Sequence, residues 1–570
     1  MTDLPVTEKP PTRKPPSDRR ERSSTDAATD DATDVTGAET DVAAGDEAPR
    51  RRRTGGRGAG RVGGRAGNHR RGATLPQELP WGPPRLVDPP IDPMTPEDVA
   101  AMDGATMRIL EEIGIDFLHP RAQRILSDLG CKVDGPRVRM GRDIVRHHIA
   151  LAPETFTITP RNPVRALPIG GRHMVFGNVS SPPNCSDIDN GRRPGTREDF
   201  RNFAKLSQHF NCIHFLGGYP VEPMDVHPSV RHLHCLHDKL TLSDKVMHAY
   251  SLGAERVEDV MEMVRLAGGL TDAEFEAAPR MYTNINSTSP LKHDHPMLDG
   301  AMRLADRGQP TVITPFTLAG ATAPVTIAGA VAQSLAECLA CVVLLQAIRP
   351  GVPCAFGTFT NNVDMRSGAP AFGTPEYVQA TRMSAQMSRF YGLPIRATNA
   401  CAANDPDQQA MWESMNSLWA CVTSGVNMVY HAAGWLEGGL CASFEKFVMD
   451  CEVLNQIIAM QRPVDCSPEA LAVEVIAEVD AMPESSRHFF APSHTQERYE
   501  TAFYQPFLSD WRNYGTYELD GSIDALHRAN RMMKTVLAEF EPPPMPDDHR
   551  AALDDFVARR VAEGGAPTDF

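Results

Sequence analysis

The sequence predicts an α/β chain built on a (β/α)8 barrel. Eight times between residues 174 and 461 a short apolar run is followed by a helix-like run. Strands that alternate with helices imply βαβ units and a parallel sheet, and eight such units imply a closed TIM barrel. The predicted strands also end on clusters of amides and hydroxyls, at the rim where such barrels carry their chemistry.

Residues 1–78 read as a disordered tail. Its first part is rich in Pro, Ser, Thr and Asp, and residues 50–71 are an Arg/Gly run nearly devoid of apolar side chains. Such a segment cannot bury enough surface to offset the entropy of ordering. With no aromatic residues interleaved to stack on bases, it reads as a solvated tail.

Residues 79–171 read as an N-terminal helical appendage and linker. Thr95 and Asp98 are spaced as a helix N-cap pair, an amphipathic run over 120–130 ends at Gly130, and 155–171 is extended. The barrel spans 172–462. Its strands are predicted at 174–179, 212–217, 245–252, 280–287, 310–317, 352–360, 394–401 and 427–434. Helices are predicted at 196–209, 228–241, 254–268, 295–307, 324–348, 374–391, 406–424 and 441–461. Caps at Thr196 with Glu198, Asp294 with Pro296, Thr374 with Pro375 and Asp405 with Pro406 mark four helix starts. Residues 463–545 read as a C-terminal helical extension and 546–570 as a polar segment.

Composition narrows the function classes. Of 570 residues, 41% are hydrophobic and 23% charged, ordinary values for a globular chain. A formal net charge of −16 argues against nucleic acid as a partner of the folded part. No secretory h-region and no stretch of ~18 apolar residues stands out, so neither export nor a membrane span is expected. The 12 scattered cysteines then fit reduced thiols in a cytoplasmic protein.

Motifs narrow them further. The rim has no convincing pair of strand-borne carboxylates, as a glycosidase would need, no GxGxxG or P-loop after a strand and no serine nucleophile elbow. The Gly-rich GWLEGGL (434–440) is a weak phosphate-loop candidate. His232, His234, Cys235 and His237 cluster in one predicted helix, where only His234 and His237 share a face. Cys338 and Cys341 lie in an apolar helix and read as core. No metal site is expected, and no catalytic side chain stands out.

The motifs ATMRILEEIGIDF (105–117), TNNVDMRSGAPAFGTPE (360–376), NDPDQQAMWESMNS (404–417), SGVNMVYHAAGWLEGGLCASFEKFVMDCE (424–452) and HFFAPSHTQERY (488–499) occur here in one chain. Together they resemble the trimethylamine methyltransferase family over residues 95 to 540. Relatives acting on trimethylamine carry pyrrolysine in the barrel, placed near Ala403 and Asn404; this chain has ordinary residues there. The resemblance therefore implies a corrinoid-dependent methyltransferase (EC 2.1.1.-) acting on quaternary amines such as glycine betaine, carnitine or proline betaine. It implies a separate corrinoid (cobalamin) protein as partner, no tightly bound cofactor of its own, and a homo-oligomer. The string DVHPSV (225–230) lacks the Gly of a cobalt-ligating loop.

Methyl transfer of this kind takes its nucleophile from the cofactor, so the chain must chiefly position the methyl and exclude water. The expected substrate residues are Phe359 for an aromatic face, Asp364 and Asp407 for charge, Arg366 and His431 for a carboxylate, and Asn404 and Gln408 beside them. Phe316, Tyr219 and Trp435 are further aromatic candidates. Two alternatives remain: a zinc-dependent barrel methyltransferase, and a non-catalytic betaine-binding barrel.

Overall fold

The computed structural model describes residues 79–568; the predicted tail at 1–78 lies outside them. Eight strands close into a barrel in which every neighbouring pair is parallel. They are β1 (Val175–Asn178), β2 (Phe215–Leu216), β3 (Val246–Tyr250), β4 (Tyr282–Ile285), β5 (Thr311–Ile313), β6 (Cys354–Gly357), β7 (Ile395–Thr398) and β8 (Met428–Ala433). The helices that follow them are α1 (Arg197–His209), α2 (Pro228–Leu242), α3 (Ala254–Ala267), α4 (His295–Asp306), α5 (Ile327–Ile348), α6 (Pro375–Phe390), α7 (Gln408–Ser424) and α8 (Phe444–Met460). All eight predicted strands and helices are present.

Local chemistry sets the helix starts. Thr196 and Asp199 form a reciprocal capping box on α1, one residue beyond the predicted Glu198. The α7 cap is Asp407, which accepts from the Ala410 amide, rather than Asp405. Asp294 and Thr374 cap α4 and α6, each followed by proline in the first turn, where its missing N–H costs nothing.

The barrel is plugged from below. An antiparallel hairpin, Thr155–Ile158 with Leu167–Gly170, presses Ile158, Leu167 and Ile169 against the inward side chains Val175, Phe215, Val246, Tyr282, Val312, Met428 and Tyr430. Each large side chain so buried contributes roughly 1.5–3 kcal/mol. The plug leaves the C-terminal end of the barrel for chemistry.

The N-terminal appendage is mixed α/β rather than helical. Helices Pro96–Arg108, Pro120–Asp128 and Arg142–Ile149 surround short strands. Ile115–Phe117 pairs with the hairpin strand Arg137–Arg139 and with Lys292–His293 of the barrel. These strands are two or three residues long, too short for a period-2 pattern.

Appendage helices pack on α5, which explains its composition. This helix of 22 residues is the one among the described residues long and apolar enough to cross a membrane, contrary to the reading of the bare sequence. Yet 83% of its apolar window is buried inside the protein, so it is a core helix. At the other end of the chain, helix Ala525–Ala538 packs on α8 and α1, and helix Asp547–Ala562 on α2 and α3.

Candidate active site

A cavity of about 410 Å³ opens at the C-terminal ends of the strands. Its floor is Tyr430, its aromatic wall is Phe316, Phe359, Phe372 and Trp435, and its polar wall is His248, Asn284, Asn286, Thr314, Arg396 and His431.

Arg396 lies in the middle of β7 and is 3% exposed. Its guanidinium stacks 4.3 Å from the Tyr430 ring and 5.4 Å from that of Phe359. One long contact of 3.4 Å reaches the Thr358 carbonyl, and Nε has no partner. Among the described residues no carboxylate pairs with it. Burial pulls its pKa below the usual arginine value, but a guanidinium stays charged in proteins. The barrel thus holds a buried cation without an anion, an arrangement that costs stability unless a ligand supplies the charge.

His431 stands beside it. It occupies the left-handed region (φ +52°) at a bulge where the β8–β1 register shifts between Val429 and Ala433, and such strain collects at functional sites. The Ser180 amide donates to His431 Nδ1 at 3.0 Å. Burial, then Arg396 and His248, hold its pKa well below the ordinary value, so the ring is neutral. With Nδ1 accepting, the proton sits on Nε2, 3.4 Å from Arg396 Nη2. Two donors therefore lie side by side with no acceptor between them.

The remaining wall is fixed from behind. The Asn284 amide donates to His248 Nε2 at 3.1 Å, Thr314 Oγ1 donates to Asn284 Oδ1 at 2.6 Å, and Asn284 Nδ2 donates to Asn286 Oδ1 at 2.8 Å. Trp435 Nε1 donates to the Cys401 carbonyl at 3.1 Å, which locks an indole 6.2 Å from Phe359 and 4.2 Å from His431. Gly439 (φ +101°) lies so close to that indole that a Cβ there would stand 2.6 Å from it. Asp450 of α8, paired with Lys446 at 2.8 Å and fully buried, accepts from the Gly434 amide at 2.8 Å. Glu337 of α5 accepts from Leu291 N at 2.7 Å and from the Ser287 and Ser289 hydroxyls, which holds the loop after β4.

The structure brings Phe359 and His431 of the sequence candidates together in this cavity, with Phe316 and Trp435. It sets the others elsewhere. Asp364 is in an exposed turn, where it accepts from the amides of Arg366 and Ser367 and from the Ser367 hydroxyl; these bonds hold its carboxyl below the usual range. Arg366 is exposed in the same turn. Asn404 and Asp407 line a separate groove with Arg192 and Glu437, and Gln408 is an exposed first residue of α7. Sequence reasoning passed over Arg396, whose signal was a lone charge inside the otherwise uncharged strand PIRATNAC.

The His/Cys cluster on α2 does not converge. His232 bonds Asp259 at 2.9 Å, His237 bonds Asp554 at 2.6 Å, and burial raises the Cys235 thiol far above its usual pKa. Among the described residues no three His, Cys, Asp or Glu side chains gather as metal ligands.

The trimethylamine methyltransferase (MTTB) family model matches residues 60–565. A glycine betaine methyltransferase of Desulfitobacterium hafniense (strain Y51) is 36% identical over 475 residues, 83% of this chain and 98% of that one. A proline betaine:corrinoid methyltransferase of Eubacterium limosum is 29% identical over 65% of this chain and 78% of its own length. The trimethylamine methyltransferase MttB of D. hafniense (strain DSM 10664 / DCB-2) is 26% identical over 82% and 94%. With a match across nearly all of the described barrel and its appendages, the chain belongs to the trimethylamine methyltransferase family and is a methyltransferase.

Proposed function

We propose that the methyl donor is a betaine, a small quaternary ammonium carboxylate, and that the acceptor is the corrinoid of a separate protein docking at the barrel mouth. The single observation that carries this reading is the buried Arg396 guanidinium, which has an unbonded Nε and no carboxylate partner among the described residues, with His431 Nε2 3.4 Å from its Nη2. A substrate carboxylate supplies the acceptor oxygens and the negative charge that this pair lacks. Across the cavity, Phe316, Phe359, Phe372 and Trp435 offer ring faces to a trimethylammonium head. The names of the betaine-using relatives support the same substrate class.

The corrinoid, when docked, supplies a Co(I) nucleophile that accepts the methyl group. The chain's own task is binding, orientation and exclusion of water. Arg396 and His431 anchor the carboxylate below, so the ammonium and its methyl groups point toward the open end. The leaving nitrogen departs as a neutral tertiary amine, so no general acid is needed. This agrees with a wall of amides and a neutral imidazole. A cytoplasmic location belongs to the same reading, supported by 12 cysteines outside any disulfide, 11 of them buried.

The test is a methyl-transfer assay with free reduced cobalamin and a panel of amines. Glycine betaine or proline betaine should exceed choline, which has the same cation and no carboxylate, by ~100-fold or more in kcat/KM. A preference for choline or trimethylamine would overturn the assignment.

A further inference from the structure

Beside the substrate cavity lies a second one of about 310 Å³, between the barrel wall and helices α2 and α3. The wall is split there. β2 and β3 pair only at Phe215 with Val246 and at Leu216 with Met247. Above that, Lys239 of α2 fills the slot and donates to the carbonyls of Gly217 at 2.7 Å and His248 at 3.3 Å. The two cavities share Ser181, His248, Tyr250 and Leu252. Ser181, in the left-handed region at φ +74°, meets the Tyr250 hydroxyl at 2.5 Å between them. Pro228 and Thr568, both exposed, bound the outer end.

Three polar atoms in this lining lack partners: Glu222 Oε2, His248 Nδ1 and His232 Nδ1. Glu222 Oε1 accepts from Arg231 at 3.2 Å, but Oε2 is shut off from solvent and unbonded. His248, 3% exposed, accepts through Nε2 from the Asn284 amide and leaves Nδ1 unbonded. The Glu222 oxygen is an acceptor, and His248 Nδ1 is a ring nitrogen that carries the proton of a neutral imidazole. The rings of Tyr219 and Tyr250 stand beside them. Buried polar groups in native structures have partners, so the site asks for a small molecule with an N–H donor and an anionic acceptor.

We propose that this chamber is a second binding site, for the demethylated amine in its protonated, zwitterionic form. The proposal rests on the betaine reading above. A betaine nitrogen bears four carbons and has no hydrogen to offer Glu222. Once a methyl has left, the tertiary amine takes a proton from water and gains an N–H. The chamber therefore selects product over substrate, and it gives product a way through the wall between β2 and β3 while a partner covers the mouth. Opening needs the Ser181–Tyr250 contact to part, with the Tyr219 amide that donates to the same hydroxyl at 3.0 Å giving way, above the slot that Lys239 keeps filled.

Equilibrium dialysis of the full chain with labelled N,N-dimethylglycine and labelled glycine betaine tests it. The native chain should bind two molecules of dimethylglycine and one of glycine betaine. Val260→Trp, which fills the chamber, should bind one of each. Glu222→Gln, which keeps the shape and removes the charge, should weaken the second dimethylglycine at least ~10-fold. Arg396→Met should lose glycine betaine and keep one dimethylglycine. A native stoichiometry of one dimethylglycine, or a second molecule unmoved by both Val260→Trp and Glu222→Gln, overturns the proposal. Should glycine betaine fail to bind while dimethylglycine still occupies a site sensitive to Val260→Trp, the betaine reading falls and the chamber stands.

Discussion

Arg396 shows how one residue can oppose stability and serve function. A guanidinium stacked on Tyr430 with no carboxylate beside it is a desolvated charge that the empty fold must tolerate. Arg396→Met should lower kcat/KM for glycine betaine ~100- to 1,000-fold, since a charge-assisted bidentate contact is lost. The same change should leave the chain as stable or more stable in a urea melt, by about 1–3 kcal/mol. Arg396→Lys should not restore activity, because a point charge cannot reproduce the fork. Trp435 is locked by its bond to the Cys401 carbonyl and acts through its ring face. Trp435→Leu should weaken glycine betaine binding by about 5- to 30-fold, read as Kd by calorimetry, for a cation–π contact of about 1–2 kcal/mol. At this scale the sequence was half legible. Phe359 and His431 could be found because they end predicted strands. Arg396 was passed over because it lies deeper in its strand, where an apolar run reads as core and the lone charge was the only signal. Asp364 and Arg366 drew attention by their charge, and charge in a loop after a strand is as readily a turn holding itself together.

The elements carry those residues into register. The alternation of apolar runs and helices made all eight barrel units legible, because the strands are buried on both faces and four of the helices carry a readable start signal. The appendage was not legible, since Ile115–Phe117 finds its barrel partner only at Lys292–His293, a pairing that no local window contains. Helix α8 adds a rigid brace. Its Lys446 and Asp450 are fully buried as a pair, and Asp450 also accepts from Gly434 between His431 and Trp435. Asp450→Asn leaves Lys446 charged and unpaired, and should cost about 3–5 kcal/mol in urea unfolding. The double variant Lys446→Met with Asp450→Leu should recover most of that stability. It should still fall short in kcat/KM, because the Gly434 amide remains unpinned. Equal recovery of both quantities would show that the pair braces the fold and not the site.

Over the whole molecule, two properties follow from burial. One is assembly: between residues 464 and 519 the chain exposes Val464, Phe490, Phe503, Trp511, Tyr514 and Leu519 by 68–89%. Large apolar side chains left to solvent in one segment of the chain suit an interface, and we propose that they join copies of the chain. Phe490→Asp with Leu519→Asp should shift the native mass in light scattering toward a monomer. The other property is the response to acid. His214, His248 and His431 are each buried and neutral: burial takes His214 down to about 3 and the other two well below 6.5. His214 shows why, with Nδ1 accepting from the Phe176 amide and Nε2 turned to the Gly82 carbonyl. In the unfolded chain the same rings titrate near 6.5. Below that pH the unfolded state takes up protons that the folded state refuses, so stability falls as the medium is acidified. Above it these rings are neutral in both states and contribute no slope. The limiting slope is about 1.4 kcal/mol per pH unit for each such histidine, reached once the unfolded ring is fully protonated. The window from about pH 6.5 to 5 lies above the range where ordinary carboxylates titrate, so the histidines should dominate it. Denaturant midpoints measured from pH 7.5 to 5 should be flat and then fall. His214→Gln, whose uncharged amide takes no proton in either state, should make the fall shallower, and an unchanged midpoint down to pH 5 would mean that these rings fold in their charged form.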